Sequence, residues 1–285
     1  MKIVGEDKKK LQGILLELLI FFKNICEENQ LHFFLAFGTC LGAVREKGFI
    51  KWDDDVDIVM PVDDYIKLRK IWPAGKTIKH YTLCETSDTY YDGHLELTIR
   101  DNNTTYISKS DLNLDTNHGV MIEISPLSYS PTSRFKCFFQ SIHACIYAIF
   151  KTQRVSNTGT RFQKCIIKLI LSVFSSSKTK YKLWKYAEKY IVNPEEKDKT
   201  YMRVFGQFHT IKKYYPSKIF EKEVWLPFEN TEMPVPIGYD EYLTILYGDY
   251  MTPPPIKDRI PEHNVEFIDC DNSYLIYKGI KYLIK

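Results

Sequence analysis

The sequence predicts an α/β (α+β) fold: a mixed sheet flanked by helices, with a helical insertion. Three observations predict it. An amphipathic repeat lies near the N-terminus, short apolar or alternating runs follow it, and the apolar residues after position 130 form long helix-like stretches. A chain of 285 residues suffices for one large domain or two small ones. It divides into a core at 1–130, a helical insertion at 131–200 and a C-terminal segment at 201–285 that packs back on the core.

Each element follows from its pattern. Leu11, Ile14, Leu15, Leu18, Leu19, Phe22, Ile25 and Cys26 recur at steps of three and four, which predicts a helix over 8–29 with one buried face. The apolar run Phe33-Phe34-Leu35-Ala36-Phe37 suits a buried strand, Gly38-Thr39 a turn, and 40–47 a short helix closed by Gly48. Over 52–60 the residues alternate as in a strand, with Asp53, Asp55 and Asp57 on one face and Val56 and Ile58 on the other; Asp54 points away, solvated or capping. Further strands are expected over 95–100 and 120–125.

The apolar stretches 135–150 and 162–174 are interrupted by polar residues, so neither reaches the ~18–20 residues of a spanning helix. They read either as buried helices of an inserted bundle or as helices resting on a membrane surface through Lys136, Arg154, Arg161 and Lys168. Another helix follows near 179–191. Pro227, Pro234, Pro236 and Pro253-Pro254-Pro255 predict a tail of loops and short elements.

Composition excludes several classes. With 44% hydrophobic and 26% charged residues the chain is an ordinary globular sequence. Its 39 Lys and Arg nearly balance 36 Asp and Glu, so there is no general field for nucleic acid. The seven cysteines contain no Cys-x-x-Cys pair, which disfavours a disulfide framework or zinc site; with no signal-peptide pattern at the start, the expected compartment is the reducing cytoplasm.

Asp53, Asp54, Asp55 and Asp57 fall within five positions and would repel one another without a compensating cation. Three on one strand face form the oxygen cluster that a hard divalent cation uses together with phosphate oxygens, which points to phosphoryl chemistry. Gly38 and Thr39 precede them, where backbone amides and a hydroxyl can approach a phosphate closely.

The stretch Phe37-Gly38-Thr39-Cys40-Leu41-Gly42-Ala43-Val44-Arg45-Glu46-Lys47-Gly48-Phe49-Ile50-Lys51-Trp52-Asp53-Asp54-Asp55-Val56-Asp57-Ile58 resembles the signature of the LicD family of phosphocholine transferases, which includes the fukutin-like enzymes. The family is similar to the wider nucleotidyltransferase-fold superfamily: a Gly-Ser or Gly-Thr turn, an Asp-x-Asp pair, then a third acid on a later strand. Here Gly38-Thr39 matches the turn, Asp55 and Asp57 the pair, and Glu123 in Ile122-Glu123-Ile124 the third acid, where the family usually has Asp. The resemblance extends to Leu226-Pro227-Phe228-Glu229, to the stretch around Tyr247-Gly248-Asp249-Tyr250, and to His263.

The resemblance implies a Mg²⁺ ion, with Mn²⁺ as the alternative, held by Asp55, Asp57 and Glu123 with Asp53 beside them, and one of Asp57 and Glu123 accepting a proton. Gly38, Thr39, Arg45, Lys47 and Arg100 are expected to meet donor phosphates, although Gly38-Thr39 also reads as a plain turn, Arg45 and Lys47 read equally as surface charges, and Arg100 is equally suited to pairing with a carboxylate. His118 and His263 are candidate acid–base groups, and Asp249 is either part of the acceptor site or a turn residue. The implied activity transfers phosphocholine from CDP-choline to a sugar hydroxyl of a cell-surface glycan precursor (lipopolysaccharide, teichoic acid or capsule), releasing CMP. The implied acceptor is lipid-linked or free, and the implied location is the cytoplasm or the inner face of the cell membrane. Aromatic residues, 14% of the chain with 20 Tyr, are a source of faces for a quaternary ammonium. The same acids would serve transfer of another alcohol phosphate or of a nucleotide. A reading of a different class is a subunit that binds only glycan or membrane.

Overall fold

The N-terminal repeat forms α1 (Glu6–Glu28), which buries Leu11, Leu15, Leu18, Leu19, Phe22 and Cys26 along one face. Each large side chain so buried contributes about 1.5–3 kcal/mol of transfer free energy. The computed structural model describes residues 5–155, 160–205, 210–261 and 263–284. After α1 come β1 (Phe34–Leu35), α2 (Phe37–Arg45), β2 (Asp57–Pro61), α3 (Val62–Ile71), β3 (Thr77–Ile78), β4 (Tyr81–Cys84), β5 (Leu97–Asp101), β6 (Thr105–Ser108) and β7 (Val120–Ser130).

The main sheet runs β1-β2-β7-β5-β4-β3 and is mixed: β2 and β7 are parallel, while the other pairs along this path are antiparallel. At its centre Asp57 lies opposite Glu123, and on the other edge of β7 Thr98 lies opposite the same glutamate. Residues in register project from one face of a sheet, so this pairing alone brings the two acids together.

Three helices, α4 (Arg134–Thr152), α5 (Arg161–Val173) and α6 (Ser177–Ile191), stand between β7 and β8 (Tyr201–Val204), which pairs antiparallel with the last residues of β7. The insertion therefore leaves and re-enters the sheet at adjacent strands. Its helices differ in burial. In α6, Trp184 is enclosed, with edge-on ring contacts to Tyr147 of α4 at 5.9 Å and to Tyr181 at 5.2 Å. A buried ion network ties both helices to the sheet: Glu85 accepts from Lys151 at 3.0 Å and from Arg69 at 2.7 Å, and Arg69 also reaches Glu188 at 3.0 Å. By contrast, α5 has no buried residue.

The tail is made of loops and short elements, as its prolines predict. Beyond β9 (Tyr215–Pro216), β10 (Glu223–Phe228) and β11 (Thr231–Pro236) form a six-residue antiparallel hairpin that contains Pro227, Pro234 and Pro236. An isolated two-stranded hairpin has two outer edges, where a missing proline N–H breaks no ladder. Helix α7 (Tyr239–Tyr247) then packs its Tyr242 against α2, and β12 (Val265–Asp269) pairs with β6. Among the described residues no helix is long and apolar enough to cross a membrane, and all seven cysteines are free.

Candidate active site

The aspartate run is only partly a strand. β2 begins at Asp57, and residues 53–56 approach it outside any assigned strand, although the Val56 carbonyl already accepts from the Glu123 amide at 2.9 Å. The alternation rule therefore does not govern Asp54, and the expectation that it points to solvent is corrected. Asp54 is buried, and its Oδ1 lies 3.0 Å from His263 Nδ1, which also comes within 3.9 Å of Asp55. Among the described residues, the set of three metal-ligand groups whose donor atoms lie within 4.8 Å of one another is Asp54, Asp55 and His263, not Asp55, Asp57 and Glu123.

Thr39 and Gly38 are placed differently from a strand-to-helix turn. Phe37 adopts a positive φ of 44° and opens α2, so both residues lie in the helix's first turn, where amides have no intrahelical acceptor. Thr39 Oγ1 accepts the Asp57 amide at 2.9 Å, fastening the helix start to the acid strand. A Cβ at Gly38 would lie 3.0 Å from Asp53 Oδ2, so the glycine admits the Asp53 carboxylate to the helix N-terminus, where negative charge is favoured.

The basic residues expected to meet phosphate do not all gather here. Arg45 is the last residue of α2, about 10 Å along its axis from Gly38 and Thr39 at about 1.5 Å per residue, and Lys47 lies beyond that end. Arg45 donates to Glu46 at 2.9 Å and to the Tyr250 carbonyl at 3.0 Å, while Lys47 is exposed. Arg100 shares the face of Glu123 but stands opposite Met121, one step along that face. It is 2% exposed, 3.2 Å from the fully buried Asp92, and donates to Thr98 and the Asn117 carbonyl. Of the two readings of Arg100, the structure shows the carboxylate pair.

His118 is buried against Tyr282, with Nε2 3.1 Å from the Leu114 carbonyl, and burial lowers its pKa; it packs away from the acids. Asp249 accepts from Thr252 at 2.7 Å, as a turn residue does.

Two residues that the sequence reading left out complete the acid centre. His94 Nδ1 lies 3.3 Å from Glu123 Oε1, and its other nitrogen is 3.6 Å from Asp111, which in turn meets Arg154 at 2.6 Å. Glu96 is buried beside Glu123. The alternation of Glu96, Thr98 and Arg100 against Leu95, Leu97 and Ile99 was the available signal for Glu96.

The titration behaviour records the crowding. Burial, then the charges of Asp55, Glu123, Glu96 and Asp53, hold Asp57 well above the usual carboxylate range. Burial and Glu123 push Glu96 up to about 8. Burial opposes ionisation of Glu123 as well, but the His94 hydrogen bond and charge outweigh it and leave its pKa lowered. Burial also opposes the charged form of the two histidines, yet Asp111 and Glu123 raise His94 to about 9, while Asp54 and Asp55 raise His263 to about 10. A cleft beside these groups is lined by Asp54, Asp55, Glu123, His263 and Tyr106 over the apolar floor of Leu11, Leu15 and Val120. Asp54, Asp55 and Glu123 on this cleft, with Asp57 in register beside Glu123, offer oxygen donors of the kind a hard divalent cation takes.

Comparison with known proteins places the chain in a family. A family model described as LicD/FKTN/FKRP, nucleotidyltransferase domain, matches residues 30–123, a span that runs from the strand before α2 to the third acid. The chain is 31% identical over 266 residues to the lipopolysaccharide cholinephosphotransferase LicD of Haemophilus influenzae, covering 90% of this chain and 95% of that protein. The chain belongs to the LicD family. Shorter matches join it to uncharacterised proteins of Rickettsia typhi, 35% identical over 85 residues, and Rickettsia prowazekii, 37% identical over 65 residues. These cover 27% and 20% of this chain, and 27% and 24% of the two relatives. The LicD-family span contains every acid of the centre, whereas His263 comes from the tail.

Proposed function

We propose that this LicD-family chain transfers phosphocholine from CDP-choline to a sugar hydroxyl of a cell-surface glycan, releasing CMP. The observation that carries the proposal is the registered pair Asp57–Glu123, with Asp55 beside it, in a chain that aligns almost end to end with a lipopolysaccharide cholinephosphotransferase. Lipopolysaccharide is accordingly the first acceptor to test, with teichoic acid and capsule as others.

Asp55, Asp57 and Glu123 would hold Mg²⁺ or Mn²⁺, with Asp53 at the helix end and Asp54 positioned by His263. Bound there, the cation would neutralise charge on the donor phosphates. The sugar hydroxyl oxygen attacks the phosphocholine phosphorus, the pyrophosphate P–O bond breaks, and CMP leaves with the electron pair. One of Asp57 and Glu123, in its ionised form, would accept the hydroxyl proton, and His94 lies 3.3 Å from Glu123 to orient it. Tyr106 is the aromatic residue on the acid-lined cleft and is the first candidate to face the choline cation.

The test is product mass. With CDP-choline, CDP-glycerol and CDP-ribitol offered separately, mass spectrometry of a lipopolysaccharide acceptor should show addition of phosphocholine with stoichiometric CMP. Addition of glycerol phosphate or ribitol phosphate would reassign the donor, and addition of a whole nucleotide would replace the reaction.

A further inference from the structure

The residues of α5 left outside the core form a pattern of their own. Phe162, Ile166, Leu169 and Val173 follow one another at steps of four, three and four and are 74%, 40%, 65% and 67% exposed. At 3.6 residues per turn they fall within about 60° of arc, a single apolar stripe turned to solvent. Away from the stripe the chain leans on the protein through Ile170 and Leu171, and Phe174 meets Phe150 edge-on at 5.5 Å. A reciprocal capping box between Thr160 and Gln163 holds the N-terminus of the helix. The stripe therefore belongs to a formed helix. On α4, Phe135, Phe138, Phe139 and Ile142 make a second exposed apolar stripe.

The charge around these stripes has one sign. Across α4, α5 and α6 there are eleven Lys and Arg and a single acid, Glu188, which is itself buried in the ion network. Arg161 and Lys168 stand exposed on the flank of the α5 stripe. The chain as a whole is nearly neutral at +3, so this concentration is local. An apolar stripe bordered by basic residues, on a helix that does not span, matches the interface of an anionic bilayer: the rings and branched chains enter the acyl boundary while Arg and Lys meet lipid phosphates. Nucleic acid would answer the charge but leave the stripe in water.

We propose that α5, supported by the exposed face of α4, seats this protein on a bilayer bearing anionic phospholipid. Seating requires neither donor nor metal, so it stands or falls separately from the transfer reaction.

Co-sedimentation of the full chain with vesicles tests it, comparing phosphatidylcholine alone with an equimolar mixture of phosphatidylcholine and phosphatidylglycerol. Binding should appear on the mixed vesicles and weaken as salt rises. The pair Arg161→Glu and Lys168→Glu should weaken it by at least about tenfold. The pair Phe162→Gln and Leu169→Gln should do the same while circular dichroism and the unfolding temperature stay unchanged, because both side chains are exposed and Gln favours helix. Equal binding to both vesicle types would overturn the charge argument. Absence of vesicle binding would overturn the proposal, as would a concentration-dependent dimer that the Gln pair dissolves, since a second copy would then cover the stripe.

Discussion

The acid centre and the inserted helices handle charge in opposite ways. Around β2 and β7, Asp54, Asp57, Glu96 and Glu123 stand close together, and burial with the neighbouring charges raises the pKa of Asp57 and Glu96. Across α4, α5 and α6 the basic side chains are spread over solvent-facing turns, and the enclosed Lys151 is paired with Glu85. Charge spread through water costs little. Buried charge is costly unless it is paired or neutralised. In the proposed reading the first region takes a cation and the second a surface.

The sharpest break in this contrast is Asp57→Asn. It should lower transfer by at least about 100-fold, the upper end of losses from displaced metal-site partners, while the unfolding temperature of the metal-free protein holds or rises because a repelled carboxyl is gone. Steady-state CMP release and calorimetry read the two effects together.

Arg100→Met tests the opposite prediction at the same sheet. Removing one partner of a buried pair should cost about 3–5 kcal/mol, seen as a lower midpoint in urea. Turnover per folded molecule should stay within about twofold. A loss of turnover without a loss of stability would restore Arg100 to the donor site.

A pH series refines the account of crowding. The folded pKa of Glu96, about 8, stands above its ordinary 4.5, so its contribution to stability is fully present below about 4.5 and is lost as pH rises through 8. Glu96→Gln in metal-free protein should therefore change little near pH 5 and raise the unfolding temperature by a few degrees at about pH 9. An equal shift at both pH values would contradict the electrostatic cause. The smallest effect belongs to the helices: Arg161→Glu with Lys168→Glu should alter stability by no more than about 0.5 kcal/mol in chemical denaturation.

These regions were also unequally legible in the sequence. Periodicity located α1, because a buried helical face repeats locally, and apolar or Tyr- and Lys-rich composition located the three inserted helices to within a few residues. Alternation likewise found the strands around Asp57 and Glu123. What it missed depends on distant chain: Asp54 looked solvated because His263, 209 positions away, covers it. Arg100 looked available because its partner Asp92 precedes the strand in a segment with no pattern. Arg45 and Lys47 looked close to the glycine turn in sequence, yet a helix that starts at Phe37 carries them to its other end. His94 preceded its strand and offered no periodic signal at all.

The central claim is that strand register assembles a divalent-cation centre that performs the transfer. Single-turnover phosphocholine transfer to lipopolysaccharide, followed against Mn²⁺ concentration for the native protein and for Asp57→Asn, tests it most directly. The native rate should rise from zero to saturation with Mn²⁺, and the variant should remain at least about 100-fold slower at every concentration. A native rate independent of divalent metal, or a folded Asp57→Asn protein that transfers at the native rate, would contradict the account.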